Sequence, residues 1–162
     1  MPQRFLLFDA GPSGRPALFA GPRRLIVAWS AAEVPAALAA LRRAREDGLW
    51  LAGACSYELG YLLEPKLAPL LPQDRRMPLI CFGVFDGPDE EAAEALLATA
   101  RSEEAAARLS APQPRWSETD YLAAFDRVEA YIAAGDIYQA NLTFPMSAHY
   151  EGSPLGLYAA LS

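Results

Sequence analysis

The sequence predicts an α+β fold of antiparallel sheets with outer helices. Fourteen prolines and eleven glycines in 162 residues require many connections, more than a helical bundle uses. Short apolar runs closed by turn clusters read as strands, and between them lie stretches with helix-start signals and helical apolar spacing. A chain of this length is about one domain, able to bury roughly two-thirds of its unfolded surface. Its 52% hydrophobic and 21% charged composition is that of a folded chain.

Phe5-Leu6-Leu7-Phe8 is a short apolar run closed by the turn cluster Asp9 to Gly14. Ala17 to Ala20 and Leu25 to Trp29 follow, separated by Gly21-Pro22. These three runs are expected to be neighbouring strands of one antiparallel sheet. Ser30-Ala31-Ala32-Glu33 is a capping box, in which hydroxyl and carboxylate satisfy helix-start N–H groups reciprocally. Val34, Leu38 and Leu41 fall at helical spacing behind it, the alanines suggest close packing on a sheet, and Gly48 stops the helix.

Leu49 to Tyr57 is apolar throughout and reads as an interior strand. Gly53 in its middle marks either a bulge or the close approach of another backbone. Glu58, at the end of this run, reads first as a solvated carboxylate and second as a functional one. Pro78 to Phe85 is a second interior strand. Asp89 to Leu109, rich in Ala, Glu and Leu, predicts one or two surface helices, and Asp89-Glu90-Glu91 suits a helix N-terminus. Ala111 to Pro114 is an extended spacer.

Ser117-Glu118-Thr119-Asp120 is another capping box. Tyr121, Phe125, Val128 and Ile132 recur behind it as a buried helical stripe, and Gly135 stands where a left-handed C-terminal cap belongs. From Tyr138 to Tyr150 the apolar and polar residues alternate with period 2, so a long strand is expected. One face carries Tyr138, Ala140, Leu142 and Phe144; the other carries Gln139, Asn141 and Thr143 and faces either water or a pocket. Ser153-Pro154 opens a last apolar helix, and the absence of a stop signal before Ser162 predicts a longer parent chain.

The net charge of −6 and scattered basic residues argue against nucleic acid, which needs clustered Lys and Arg. No signal segment opens the chain and no apolar run approaches ~18 residues, so no membrane association is expected and the cytoplasm is the default location. Cys55 and Cys81 each sit in an apolar run and are expected to be buried free thiols. His149 is the one histidine, which leaves no His/Cys metal cluster and no phosphate loop or nucleophile elbow accompanies it.

The residues Phe125-Asp126-Arg127-Val128, Tyr131-Ile132 and Gly135-Asp136-Ile137-Tyr138-Gln139-Ala140-Asn141-Leu142-Thr143 strongly resemble a motif of the chorismate-utilising enzymes. The Tyr-Gln-x-Asn-Leu form looks closest to the aminodeoxychorismate (para-aminobenzoate) synthase component I branch of that family. Gly48 to Glu58 is similar to the family's Gly-rich strand ending Ser-Tyr-Glu or Ser-Tyr-Asp, and Pro78 to Phe85 to the strand after it.

The resemblance implies a layered fold of antiparallel sheets with helices outside, of which this chain is the N-terminal portion. Residues 1–110 would form an N-terminal sheet and helix region, and residues 117–162 the start of the chorismate-binding region. It implies replacement of the C4 hydroxyl of chorismate by an amino group, for para-aminobenzoate and folate synthesis, with ammonia from a glutamine amidotransferase partner and Mg²⁺ at the substrate carboxylate. An anthranilate synthase-type relative and a non-catalytic ligand-sensing or partner-docking module are the alternatives. Gln139 and Asn141 are the residues expected near the substrate cavity, unless they only hydrogen-bond neighbouring strands. The catalytic groups, among them the family's Pro-Ile-x-Gly-Thr segment, metal-binding glutamates and substrate-binding arginine, are expected beyond Ser162, so this chain alone should be inactive and bind no metal. Phe5 to Ala10 lacks the serine of the family's tryptophan pocket, which places tryptophan binding in doubt. A portion ending mid-fold is also expected to expose an apolar patch and to self-associate through it.

Overall fold

A computed structural model describes residues 5–103 and 107–161. The chain divides into two compact units, residues 1–96 and 97–162. The architecture is α+β, with antiparallel sheets and helices.

In the first unit, β1 (Phe5–Phe8) and β2 (Ala17–Ala20) form a two-stranded antiparallel sheet with Phe5 opposite Ala20. A three-stranded sheet contains β3 (Arg24–Ala28), β4 (Trp50–Cys55) and β5 (Ile80–Phe85) in the order β3-β5-β4. The first three apolar runs therefore do not share one sheet. Gly21 takes a φ of 59° and Pro22 has no N–H to donate, so the chain turns out of the β2 ladder before β3 begins. β3 then finds its partner far along the chain, with Ile26 opposite Phe82.

Helix α1 (Val34–Glu46) follows a short 3₁₀ turn at Ala31–Glu33 and joins β3 to β4. The Glu33 carboxylate accepts the N–H groups of Trp29 and Ser30 at 2.7 and 2.8 Å, the acidic half of the capping box. The helix buries Val34, Ala37 and Ala44 against Ile26, Ala28, Ile80 and Val84. Small residues carry this contact, as the alanine content foretold, whereas Leu38 lies off the stripe and is exposed. Gly48, at φ 76°, ends the turn after the helix.

On the opposite face of the sheet, Phe85 and Ala52 pack with Ala17 and Phe19 of the β1–β2 hairpin. Phe19 is the hub, with ring centroids 5.2 Å from Phe85, 5.9 Å from Phe8 and 6.4 Å from Trp50. The hairpin covers only one end of that face. β5 is the interior strand the sequence predicts, but β4 pairs with β5 alone and is an edge strand. Both cysteines are free, and both are exposed rather than buried: Cys81 lies beyond the hairpin's cover and Cys55 at the end of the edge strand. Because Cys81 is opposite Ala54, and Cys55 opposite Ile80, the two thiols point to opposite faces.

Helix α2 (Glu90–Glu103) begins at Asp89, whose carboxylate accepts the Ala92 N–H at 2.8 Å. Glu90 and Glu94 each accept from Arg15 at 2.6 Å, so the acidic first turn serves as a cap and as an anchor for the β1–β2 loop. The expected helical stretch runs into residues 104–106, which lie outside the described residues.

The second unit contains β6 (Arg108–Leu109), β7 (Gln113–Pro114), α3 (Glu118–Ala134), β8 (Met146–Ser147), β9 (Tyr150–Glu151) and α4 (Pro154–Leu161). β6 pairs with β9 and β7 with β8, each antiparallel. The long strand expected from Tyr138 to Tyr150 does not form. A strand needs a partner for its backbone groups, and pairing here is confined to two short ladders on either side of Ser147-Ala148-His149-Tyr150. Pro145 removes a donor at the start of the first ladder. The Ser153 hydroxyl accepts the Leu155 N–H at 3.2 Å and starts α4 as the Ser-Pro signal foretold. Among the described residues no helix is long and apolar enough to cross a membrane.

Candidate functional site

The resembling segment sits directly behind α3. Ser117 starts that helix, its hydroxyl accepting the Asp120 N–H at 3.1 Å while the Asp120 carboxylate takes the Ser117 hydroxyl at 2.7 Å. Gly135 ends it in the left-handed conformation at φ 80°, and the Gly135 and Asp136 N–H groups return to the carbonyls of Ile132 and Tyr131. This cap reverses the chain, and residues 140–143 run back along the helix.

Phe144 anchors the returning segment. Its ring lies edge-on to Tyr121, with centroids 5.5 Å apart, and stacks on Trp116 at 6.1 Å. Between the helix and the segment lies a groove of about 480 Å³. Its helical wall is Tyr121, Phe125, Val128, Glu129 and Ile132, and its other wall is Ala140, Asn141, Leu142 and Thr143. The apolar stripe of α3 is therefore not core. Phe125 is 42% exposed and Ile132 43%, and no α3 residue is fully buried. The alternation read in the sequence survives without a strand, since Leu142 and Phe144 are half-buried and Asn141 and Thr143 exposed.

Asn141 lines the groove; Gln139 is exposed and lies outside its lining. Glu129 was missed by the sequence reading. Its signal was its position: it follows Phe125 by one helical turn and so shares the edge of the stripe. Glu58, the other carboxylate raised from the sequence, falls in a 3₁₀ stretch at Tyr57–Leu63, away from this groove. His149 is exposed, and only its backbone N–H is engaged, by the Ser110 hydroxyl at 2.9 Å.

The groove's polar equipment is one carboxylate, one amide and one hydroxyl. It carries no cation in its lining, so it suits the ring and hydroxyl edge of a small polar molecule better than a carboxylate. A magnesium site draws on hard oxygen donors, usually with one or two carboxylates and a substrate oxyanion. The described residues gather no group of three His, Cys, Asp or Glu side chains, and Glu129 is the only carboxylate in the groove, so this donor set does not fit a magnesium centre.

The family model described as chorismate binding enzyme matches residues 3–162 of this chain. Comparison with curated proteins and with solved structures gave no match.

Proposed function

The chain belongs to the chorismate binding enzyme family, and we propose that within it this chain is part of an aminodeoxychorismate synthase component I. In that reading the whole protein aminates chorismate at C4, taking ammonia from a glutamine amidotransferase partner and requiring Mg²⁺. The product would feed para-aminobenzoate and folate synthesis. The observation that carries the reading is the Tyr138-Gln139-Ala140-Asn141-Leu142 run delivered by the Gly135 cap, with Asn141 on the wall of the groove.

The amide of Asn141 is suited to a hydroxyl or enol ether of the substrate, as it both donates and accepts hydrogen bonds. The aromatic wall of Tyr121 and Phe125 offers a ring a flat apolar surface. The substrate's carboxylates and the magnesium would be held by other groups, because the groove supplies a single negative charge and no positive one. For that reason we propose that the 162-residue chain alone does not turn chorismate over.

The test is product analysis with the full-length polypeptide that the gene encodes, given chorismate, ammonia and Mg²⁺. Formation of 4-amino-4-deoxychorismate without anthranilate supports the assignment. Anthranilate as the product would move the chain to the sister branch, and tight chorismate binding with no product would favour a sensing module.

A further inference from the structure

We propose that the uncovered face of the β3-β5-β4 sheet binds the same face of a second copy of this chain. The β1–β2 hairpin covers Ala52 and Phe85 and leaves the rest of that face open. What remains is a groove of about 470 Å³ whose lining includes Phe5, Leu25, Ala54, Met77 and Cys81. Phe5, Leu25 and Met77 are 40%, 51% and 61% exposed, and Val27, on the same face, is 39% exposed. Together these side chains present roughly 450 Å² of apolar surface, at the upper end of what a soluble monomer tolerates in one patch.

Area and charge identify the occupant. The chain exposes 11797 Å², whereas two separate compact units of these sizes would expose only about 9,500 Å². The excess, on the order of 2,000 Å², is the scale that a stable protein–protein interface removes. Each copy carries a net charge of −6, which opposes association through most surfaces. The groove lining has no charged residue, so self-apposition there meets no like-charge pair. A two-fold contact also needs a patch complementary to itself, and a flat neutral sheet face meets that condition.

Sedimentation equilibrium of the 162-residue chain over a range of concentrations tests the proposal. A monomer–dimer equilibrium is expected, and it should tighten as salt screens the net charge. Leu25→Glu, an exposed site on the edge strand β3, should weaken the dimer at least tenfold while circular dichroism stays unchanged. Cys81 gives a check that needs no disruptive variant: its alkylation rate should fall as protein concentration rises, while that of Cys55, on the opposite face, should not. A monomer at every concentration, open-ended aggregation in place of a dimer, or a dimer indifferent to Leu25→Glu would overturn it. So would a monomer in which Cys81 is already protected, which would assign the face to another segment.

Discussion

Gly53 and Phe82 stand opposite one another on β4 and β5, and the Phe82 ring occupies the space a Gly53 side chain would need. A Cβ built on Gly53 would lie 2.6 Å from the Phe82 Cα, 2.9 Å from its Cγ, and in overlap with the Cys81 carbonyl oxygen. This is close backbone approach, the second of the two readings a mid-strand glycine allowed. Gly53→Ala is therefore expected to destabilise the first unit by about 1–3 kcal/mol, although alanine suits a strand no worse than glycine. Gly60→Ala, with nothing within 4 Å of its Cβ, is the control and should be near neutral. Urea unfolding of the two variants measures the difference.

Gly135→Ala places a Cβ in a left-handed conformation and should cost about 1 kcal/mol, with Gly135→Asn costing less. No neighbour lies within 4 Å of that Cβ, so the effect is conformational and not a clash. If alanine and asparagine prove equally harmless, the cap does not hold the returning segment in place.

The Ser30 and Trp29 N–H groups, together with the Ser30 hydroxyl, hold the Glu33 carboxyl below its ordinary value of 4.5. Unfolding releases those donors and restores the ordinary value. The capping contribution is thus complete above pH 4.5 and is lost as pH falls through the lower folded value. Glu33→Gln should abolish this dependence. The stability gap between native chain and variant should be widest near neutrality and should close in acid, as thermal unfolding across pH would record.

Asn141→Ala is expected to lower kcat/KM of the full-length enzyme for chorismate about tenfold, the effect of one lost hydrogen bond of ~1.4 kcal/mol. Asn141→Asp should do worse, since it adds a second negative charge beside Glu129 in a groove that would receive an anionic substrate. Gln139→Ala, outside the lining, should change little. An unaltered kcat/KM in Asn141→Ala would remove this residue from the substrate's surroundings.

Local chemistry was legible in the sequence and long-range pairing was not. Asp89, Ser117, Gly48, Gly135 and Ser153 each act within a turn of their own position, so their roles at helix ends could be read directly. The partner of β3 lies beyond α1 and β4, and no residue near Leu25 announces it. Periodicity identified which side chains share a face without saying what covers that face. Hence Cys81 was expected to be buried and is not, and Phe125 and Ile132 line an open groove instead of a core. The same limit applies to Asn141 and Gln139: alternation placed them on one face, but the turn after Gly135 brings only Asn141 to the groove.

The strand order β3-β5-β4 also imposes a timetable. β3 and β4 share no hydrogen bonds with each other, and each pairs only with β5, which is the last of the three to leave the ribosome. Until residues 80–85 emerge, Leu25-Ile26-Val27 and Trp50-Leu51-Ala52 have no ladder to join, and α1 has no complete surface to lie on. Closure of the sheet then occurs in one event, with both neighbours docking on a strand some 30 and 55 residues downstream of them. A nascent chain paused before Ile80 would be unpaired and sticky; one paused after Phe85 would hold a finished sheet.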